Sequence, residues 1–181
     1  MKNAVILHGT GNNSQGNWFP WLKGELKKKD YKVWVPDLPE SDRPNGKLNA
    51  EYILKNWELN EDSLIVGHSS GAVTIFSILQ ALPENKRVAK CIFISAFKNN
   101  LGEENLSDLF TEPFDFSKIK HKAKKFIFVH SDNDPYIPVE QAVELAKEVD
   151  GELIIKPGQG HFNLSSNRPC KEFPFLLTLI D

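Results

Sequence analysis

Six short runs of the chain read as fully buried strands: Asn3–Leu7, Tyr31–Val35, Ser63–Val66, Lys90–Ile94, Lys125–Val129 and Glu152–Ile155. Most are rich in Val, Ile and Phe without polar alternation, the pattern of a parallel sheet covered on both faces. The segments between them show helical spacing. Trp18, Trp21, Leu22 and Leu26 form one apolar stripe, Ala50, Ile53, Leu54 and Trp57 a second, and Val139, Ala142, Val143 and Ala146 a third. A last helix carries Phe173, Leu176, Leu177 and Ile180 on one face, and Ala72–Leu82 is apolar almost all round, which predicts a central, buried helix. Strict alternation of strand and helix predicts an α/β architecture, a doubly wound parallel sheet with right-handed crossovers. In such sheets ligands and reacting groups gather at the carboxyl ends of the strands, so candidate residues should directly follow strands.

The 181 residues fit a single domain spanning 1–181, with no internal repeat, low-complexity tract or linker. A chain of this length buries roughly 70% of its unfolded surface and needs no disulfide staples. Lys98–Lys120 is the one connection with room for an extra element at the site. A net charge of −2 gives no reason to expect nucleic acid or an anionic membrane as partner. The basic run Lys118 to Lys125 reads as a solvated lead-in to a strand. Cys91 opens an apolar run and reads as a small core hydrophobe. Cys170 lies near a helix start, with nothing beside it that argues for reactivity. The N-terminus enters a strand at once, without the charged and apolar regions of a secretory signal. No stretch approaches the ~20 apolar residues of a membrane span. A cytoplasmic location is the expectation.

The chemistry concentrates at Gly67-His68-Ser69-Ser70-Gly71. This is G-x-S-x-G between a buried strand and an apolar helix, the context that lifts a serine hydroxyl clear of a sheet on a strained turn. The alternative is a tight strand-to-helix turn with a serine N-cap. Ser70 is a neighbouring candidate, but only Ser69 has glycine two positions either side; Ser70 reads instead as a backbone N–H donor to an oxyanion. The second donor is expected after the first strand, in His8-Gly9-Thr10-Gly11, from Thr10 or, less favoured, Gly11. That loop lacks both G-x-G-x-x-G and the Walker lysine, which weakens a phosphate-binding reading.

A serine nucleophile needs a base, and the base an orienting carboxylate. Of five histidines, His161 alone follows the last strand, on the glycine-bearing loop Pro157–Phe162. His8 belongs to the oxyanion loop, His68 to the elbow, His121 to the basic lead-in, and His130 reads as a core histidine. Asp134 and Asp132 follow the fifth strand. Asp134 is chosen, with Asp132 expected to bond turn backbone and Asp37 a distant rival. Calcium at this stretch is disfavoured because Tyr136 replaces a ligand and the terminal Glu is missing. The chain order Ser69, Asp134, His161 is the α/β-hydrolase order.

On these residues the chain resembles the small serine hydrolases of the retinoblastoma-binding-protein-nine and YdeN type, over essentially its full length. The resemblance rests on the early His-Gly loop with Trp18 beyond it, V-x-x-P-D-L-P at Val33–Pro39, and Gly-His-Ser-Ser-Gly. It continues through Ile94-Ser-Ala, D-x-x-I-P at Asp134, and Gly-His-Phe at His161. It implies Ser69, Asp134 and His161 as catalytic triad, and a three-layer α/β-hydrolase fold reduced to six parallel strands in the order 2-1-3-4-5-6 without a cap domain. The L-x-C-x-E motif that binds a retinoblastoma-type pocket protein is absent, so that partner is not carried over. The expected activity is hydrolysis of small esters, or amides or thioesters, through an acyl-serine, without cofactor or metal. The alternative is a catalytically silent binding protein on the same fold. His8, Phe97, Phe110 and Phe114 are the candidate substrate contacts, with Phe116 nearby; ordinary core packing under a long loop is the other reading of the phenylalanines.

Overall fold

The buried runs form strands in the computed structural model, which describes residues 1–165 and 169–180. The strands are β1 (Asn3–Leu7), β2 (Lys32–Trp34), β3 (Ser63–His68), β4 (Val88–Ile94), β5 (Ala123–His130) and β6 (Glu152–Ile155). They pair in parallel in the order β2-β1-β3-β4-β5-β6. Successive side chains of a strand point to opposite faces, and both faces of the four inner strands are apolar. Val5, Leu7, Ile65, Cys91, Phe93, Phe126 and Phe128 face one layer, while Ala4, Ile6, Leu64, Val66, Ile92, Ile94, Ile127 and Val129 face the other.

The first face is covered by helices α2 (Gly46–Asn56), α3 (Ser70–Ala81), α4 (Phe116–Ile119) and α5 (Val139–Glu148), which contribute Ile53, Ile75, Ile119 and Leu145 to its core. Phe93 and Phe128 stack at 4.4 Å at its centre, and Phe76 of α3 stacks on Phe93 at 4.8 Å. The second face is covered by α1 (Phe19–Lys28) and the C-terminal α6 (Leu177–Ile180), with Phe19, Leu22, Leu26 and Ile180 buried against the strands. Burying each such side chain is worth about 1.5–3 kcal/mol.

Two expectations need correction. Full burial fails for β2 and β6, whose residues are exposed or half-buried. Each is an edge strand with a single hydrogen-bonded neighbour, so little packs beyond it. The last apolar stripe is likewise not one helix. Phe173 precedes a 3₁₀ turn at Pro174–Leu176, and only Leu177–Ile180 is α-helical. Helix α3 is buried over Ser70–Phe76, Ile78 and Leu79, as its composition predicts, with Ser77 and Gln80 half-buried and Ala81 exposed, and it stops where Leu82 precedes Pro83. The basic run is a paired surface, with Lys118, Lys120, Lys124 and Lys125 beside Asp115, Asp150, Glu61 and Glu152. Its exception is Lys122, whose stem is buried and whose ammonium donates to the Leu82 and Pro83 carbonyls. Among the described residues, no helix is long and apolar enough to cross a membrane.

Candidate active site

The turn from β3 into α3 is shaped by what cannot fit there. A methyl group on Gly67 would stand 2.5 Å from the Gly71 carbonyl oxygen, and one on Gly71 would stand 2.4 Å from that of His8. Glycine at both positions lets the helix cross its own strand and β1 at backbone contact. Between them Ser69 sits at φ 55°, ψ −125°, in the left-handed region that side chains rarely adopt. Its N–H donates to the Ile94 carbonyl at 2.9 Å, and its carbonyl receives the Ala72 N–H. Ser69 is half-buried at the N-terminus of α3. The first N–H groups of a helix have no partner within it and carry the positive end of its dipole.

The loop after β1 lies against this turn. Thr10 Oγ1 donates to Ser70 Oγ at 2.9 Å, holding the two segments together. The Gly11 N–H is already spent on the Ser41 carbonyl, at 2.9 Å. His8, expected as a substrate contact, is buried and spends both ring nitrogens on backbone groups. Leu38 N–H donates to its Nε2 at 2.8 Å, so the proton sits on Nδ1, which donates to the Gly9 carbonyl at 2.9 Å. Burial holds the ring below its usual pKa and keeps it neutral. His8 braces the loop from inside.

Asp134 and His161 meet beyond the ends of β5 and β6. His161 Nδ1 lies 2.8 Å from Asp134 Oδ2, and the carboxylate has no exposed surface. Ser95 Oγ donates to the same oxygen at 2.8 Å, while Tyr136 and Ile137 N–H donate to Oδ1 at 3.0 and 3.2 Å. Burial opposes the charge of Asp134, but the hydrogen bonds from His161, Tyr136 and Ser95 outweigh it and hold the carboxyl below its usual pKa. An imidazole fixed in this way keeps its proton on Nδ1 and presents Nε2 as a base.

Neighbouring groups hold the two loops in register. His130 Nε2 donates to the Ile137 carbonyl, closing the loop that carries Asp134. Asp132, Ser131 and Asn133 side chains accept the Gly158, Gln159 and Gly160 N–H groups of the His161 loop at 2.8–2.9 Å. Asp132 therefore bonds the neighbouring loop rather than its own turn. Asp37 is exposed and accepts from Ser14 N–H at 2.6 Å, away from His161. His68 Nε2 donates to the His161 carbonyl at 2.7 Å, and Trp18 Nε1 donates to the Phe162 carbonyl at 3.0 Å. Burial, with the His161 ring beside it, pushes the His68 pKa down to about 3, so this ring is neutral.

A cleft of about 600 Å³ opens on Thr10, Ser69 and His161, walled by Phe97, Leu101, Leu106, Ile137 and Tyr136. Of the four phenylalanines expected there, only Phe97 reaches it, and Phe116 packs edge-on against Phe76 at 5.3 Å. Phe110 packs behind Phe97 at 6.0 Å, and Phe114 turns inward to Phe76 at 5.5 Å, because aromatic rings beneath a long loop complete the core. Ser95, Leu101, Leu106 and Tyr136 escaped the reading of the sequence. Ser95 carried a signal, a small residue directly after β4, but its partner depends on β4 pairing with β5. Cys91 is wholly buried with its thiol pushed up, and burial pushes the thiol of the half-buried Cys170 to about 11.

The profile of the serine hydrolase family matches residues 4–174. YdeN of Bacillus subtilis (strain 168) is 29% identical over 163 residues, 89% of this chain and 86% of its own. The serine hydrolase RBBP9 of Rattus norvegicus is 27% identical over 164 residues, 88% of this chain and 86% of its own. The crystal structure of the B. subtilis ydeN product superposes with a TM-score of 0.91 at 25% identity, over 99% of this chain and 97% of that one. Est1E of Butyrivibrio proteoclasticus, solved with ferulic acid bound, shares the fold with a TM-score of 0.71 at 16% identity, over 90% of this chain and 82% of its own. With an α/β-hydrolase sheet, no cap over the strand ends among the described residues and a match over nearly its whole length, this chain belongs to the serine hydrolase family.

Proposed function

We propose that the protein cleaves small esters through an acyl-Ser69 intermediate, with His161 as base and Asp134 as its orienting carboxylate. The observation that carries this reading is the His161–Asp134 hydrogen bond of 2.8 Å, in a cleft that also opens on the strained Ser69. Ser69 Oγ attacks the ester carbonyl while His161 Nε2 takes its proton. Negative charge on the carbonyl oxygen is met by the N–H groups of Ser70 and Thr10. Thr10 is favoured over Gly11 because the Gly11 N–H is committed to Ser41. His161 then delivers the proton to the leaving oxygen, and water repeats the sequence on the acyl-enzyme.

The apolar walls of the cleft suit a short or medium acyl chain, and the uncapped mouth admits substrates without a lid motion. The whole chain acts as one catalytic unit on this reading, and a small-molecule carboxylic ester is its substrate, with amides and thioesters as the alternatives. Release of nitrophenol from a short acyl ester, lost in Ser69→Ala, is the direct test. Covalent labelling of Ser69 by a fluorophosphonate separates an enzyme from a silent binding protein on the same fold. A folded protein that takes no label refutes the proposal.

A further inference from the structure

The cleft over Ser69 holds one formal charge that the proposed mechanism leaves unused. Glu103 lines it and is exposed to solvent, and among the described residues no lysine or arginine shares that lining. The Glu103 side chain makes no cap hydrogen bond to the 3₁₀ turn that follows it, Glu104–Leu109, and has no ion-pair partner among the described residues. The neighbouring bases are committed elsewhere. Arg43 holds Asp108 at 2.8 Å and Glu104 at 3.4 Å, and the Lys98 ammonium pairs with Glu144. Glu104 and Asp108 are thereby offset, so Glu103 sets the sign of the field on this wall.

The segment that carries Glu103 is held in place. Asn99 Oδ1 accepts from Leu101 N–H at 3.0 Å, and Asn100 Oδ1 accepts from Gly102 N–H at 3.2 Å. Glu103 N–H donates to the Asn100 carbonyl at 2.8 Å, and Asn100 Nδ2 donates to Ser107 Oγ at 3.0 Å. Leu101 stands at φ 56°, which leucine adopts only at a cost, and packs on the apolar cluster of Phe97, Leu106 and Ile137. A turn pinned in this way fixes the carboxylate beside the apolar wall. A lone surface carboxylate is ordinary, but this one borders the space that a substrate must enter. The same cleft also offers the Tyr136 ring, 60% exposed, and aromatic faces attract cations.

We propose that Glu103 is a specificity-determining residue that favours acyl chains carrying a positive charge, and disfavours those carrying a negative one. This deepens the acyl-Ser69 reading and rests on it. The acyl chain lies along the apolar wall, and its charged end meets the carboxylate at the solvent edge. Because Glu103 is exposed, water screens the attraction. Unit charges about 5 Å apart in a medium close to water change a rate by about three- to fivefold. Attraction of a cation and repulsion of an anion then separate the two by about tenfold.

The test is a set of nitrophenyl esters with matched acyl chains. The cationic members are 4-(trimethylammonio)butanoyl and 6-(trimethylammonio)hexanoyl. The tert-butyl analogues, 5,5-dimethylhexanoyl and 7,7-dimethyloctanoyl, are nearly the same shape without charge, and 4-sulfobutanoyl and 6-sulfohexanoyl are the anions. On wild-type protein, kcat/KM for the cationic ester is expected to exceed that for the sulfonate by about tenfold at one or both lengths, and the gap should close in about 1 M salt. In Glu103→Gln the cationic ester should lose about three- to fivefold relative to its tert-butyl analogue while the sulfonate gains, and Glu103→Lys should favour the sulfonate. Glu84→Gln removes the same charge before β4, at the opposite end of the sheet, and should keep the wild-type preference. A preference that is missing at both lengths, that survives in Glu103→Gln or that is lost equally in Glu84→Gln overturns the role of Glu103. Labelling of Ser69 by a fluorophosphonate then leaves the nucleophile standing. Absence of both turnover and label in the wild-type protein overturns the two together.

Discussion

Acid should destabilise this protein through His68 well before its carboxylates protonate. The ring is wholly enclosed, and burial, reinforced by the His161 ring, pushes its pKa to about 3 from its ordinary value of 6.5. A group whose folded pKa is depressed supports the fold above its unfolded pKa and ceases to as the pH falls towards the folded value. The window is therefore pH 6.5 down to about 3. Within it the unfolded chain binds a proton that the folded chain refuses, at about 1.4 kcal/mol per pH unit. From pH 7.5 to 5.0 the His68 contribution comes to about 2 kcal/mol, a large part of a typical stability of about 5–15 kcal/mol. His8, also held down by burial, adds in the same direction. His68→Gln isolates the effect, because glutamine keeps an N–H for the His161 carbonyl but does not titrate. Urea unfolding at the two pH values measures it. The variant starts less stable at pH 7.5 from lost packing, yet should lose about 2 kcal/mol less than wild type on going to pH 5.0. Equal losses in the two proteins would refute the idea that this ring is held neutral by its enclosure.

Asp134→Asn should leave the fold nearly as stable while lowering kcat on a nitrophenyl ester by about 10⁴-fold, because the amide no longer fixes the imidazole tautomer. Ser95→Ala removes one of the donors to Asp134 Oδ2 and should cost about 1 kcal/mol, a roughly fivefold loss of kcat with KM little changed. Gly71→Ala gains about 1 kcal/mol of helix propensity but drives a methyl to 2.4 Å from the His8 carbonyl oxygen. No rotamer change relieves a backbone clash, so the overpacking cost of about 1–3 kcal/mol wins and the melting temperature falls by several degrees; an unchanged melt would contradict this. A thiol reagent at pH 7.5 should modify neither cysteine in the folded protein and both in denaturant, since burial keeps each protonated.

Much of this was legible because buried parallel strands leave a strong local mark. Val5-Ile6-Leu7 and Phe126-Ile127-Phe128 pack on both faces, so nearly every residue is apolar whatever lies beyond. Position relative to such strands narrowed the candidates, and the glycines around Ser69 and the Pro-Tyr-Ile-Pro after Asp134 chose among them. The structure brings Asp134 and His161 into contact and sets Ser69 on the same cleft. What escaped depends on pairings between distant segments. Ile94 aligns with Val129 in the β4–β5 register, and only that alignment sets Ser95 beside Asp134. The cleft walls at Leu101 and Leu106 and the inward turn of Phe114 are set by how the long loop folds back. An aromatic residue in such a loop has the same local pattern whether it faces the cleft or the core. The edge strands failed differently, since β2 and β6 share the apolar composition of inner strands without their neighbours.

The clamp between Trp18 and the Phe162 carbonyl joins residues 144 positions apart. The elbow residues Gly67–Gly71 lie in the first half of the chain, but the imidazole that shares their cleft arrives only when the last strand has docked and that indole has found its carbonyl. On the proposed mechanism the ribosome releases Ser69 long before His161, so a partly made chain carries a serine without its base. Turnover is then a late clock of folding: in a refolding experiment, circular dichroism should recover first and ester cleavage last.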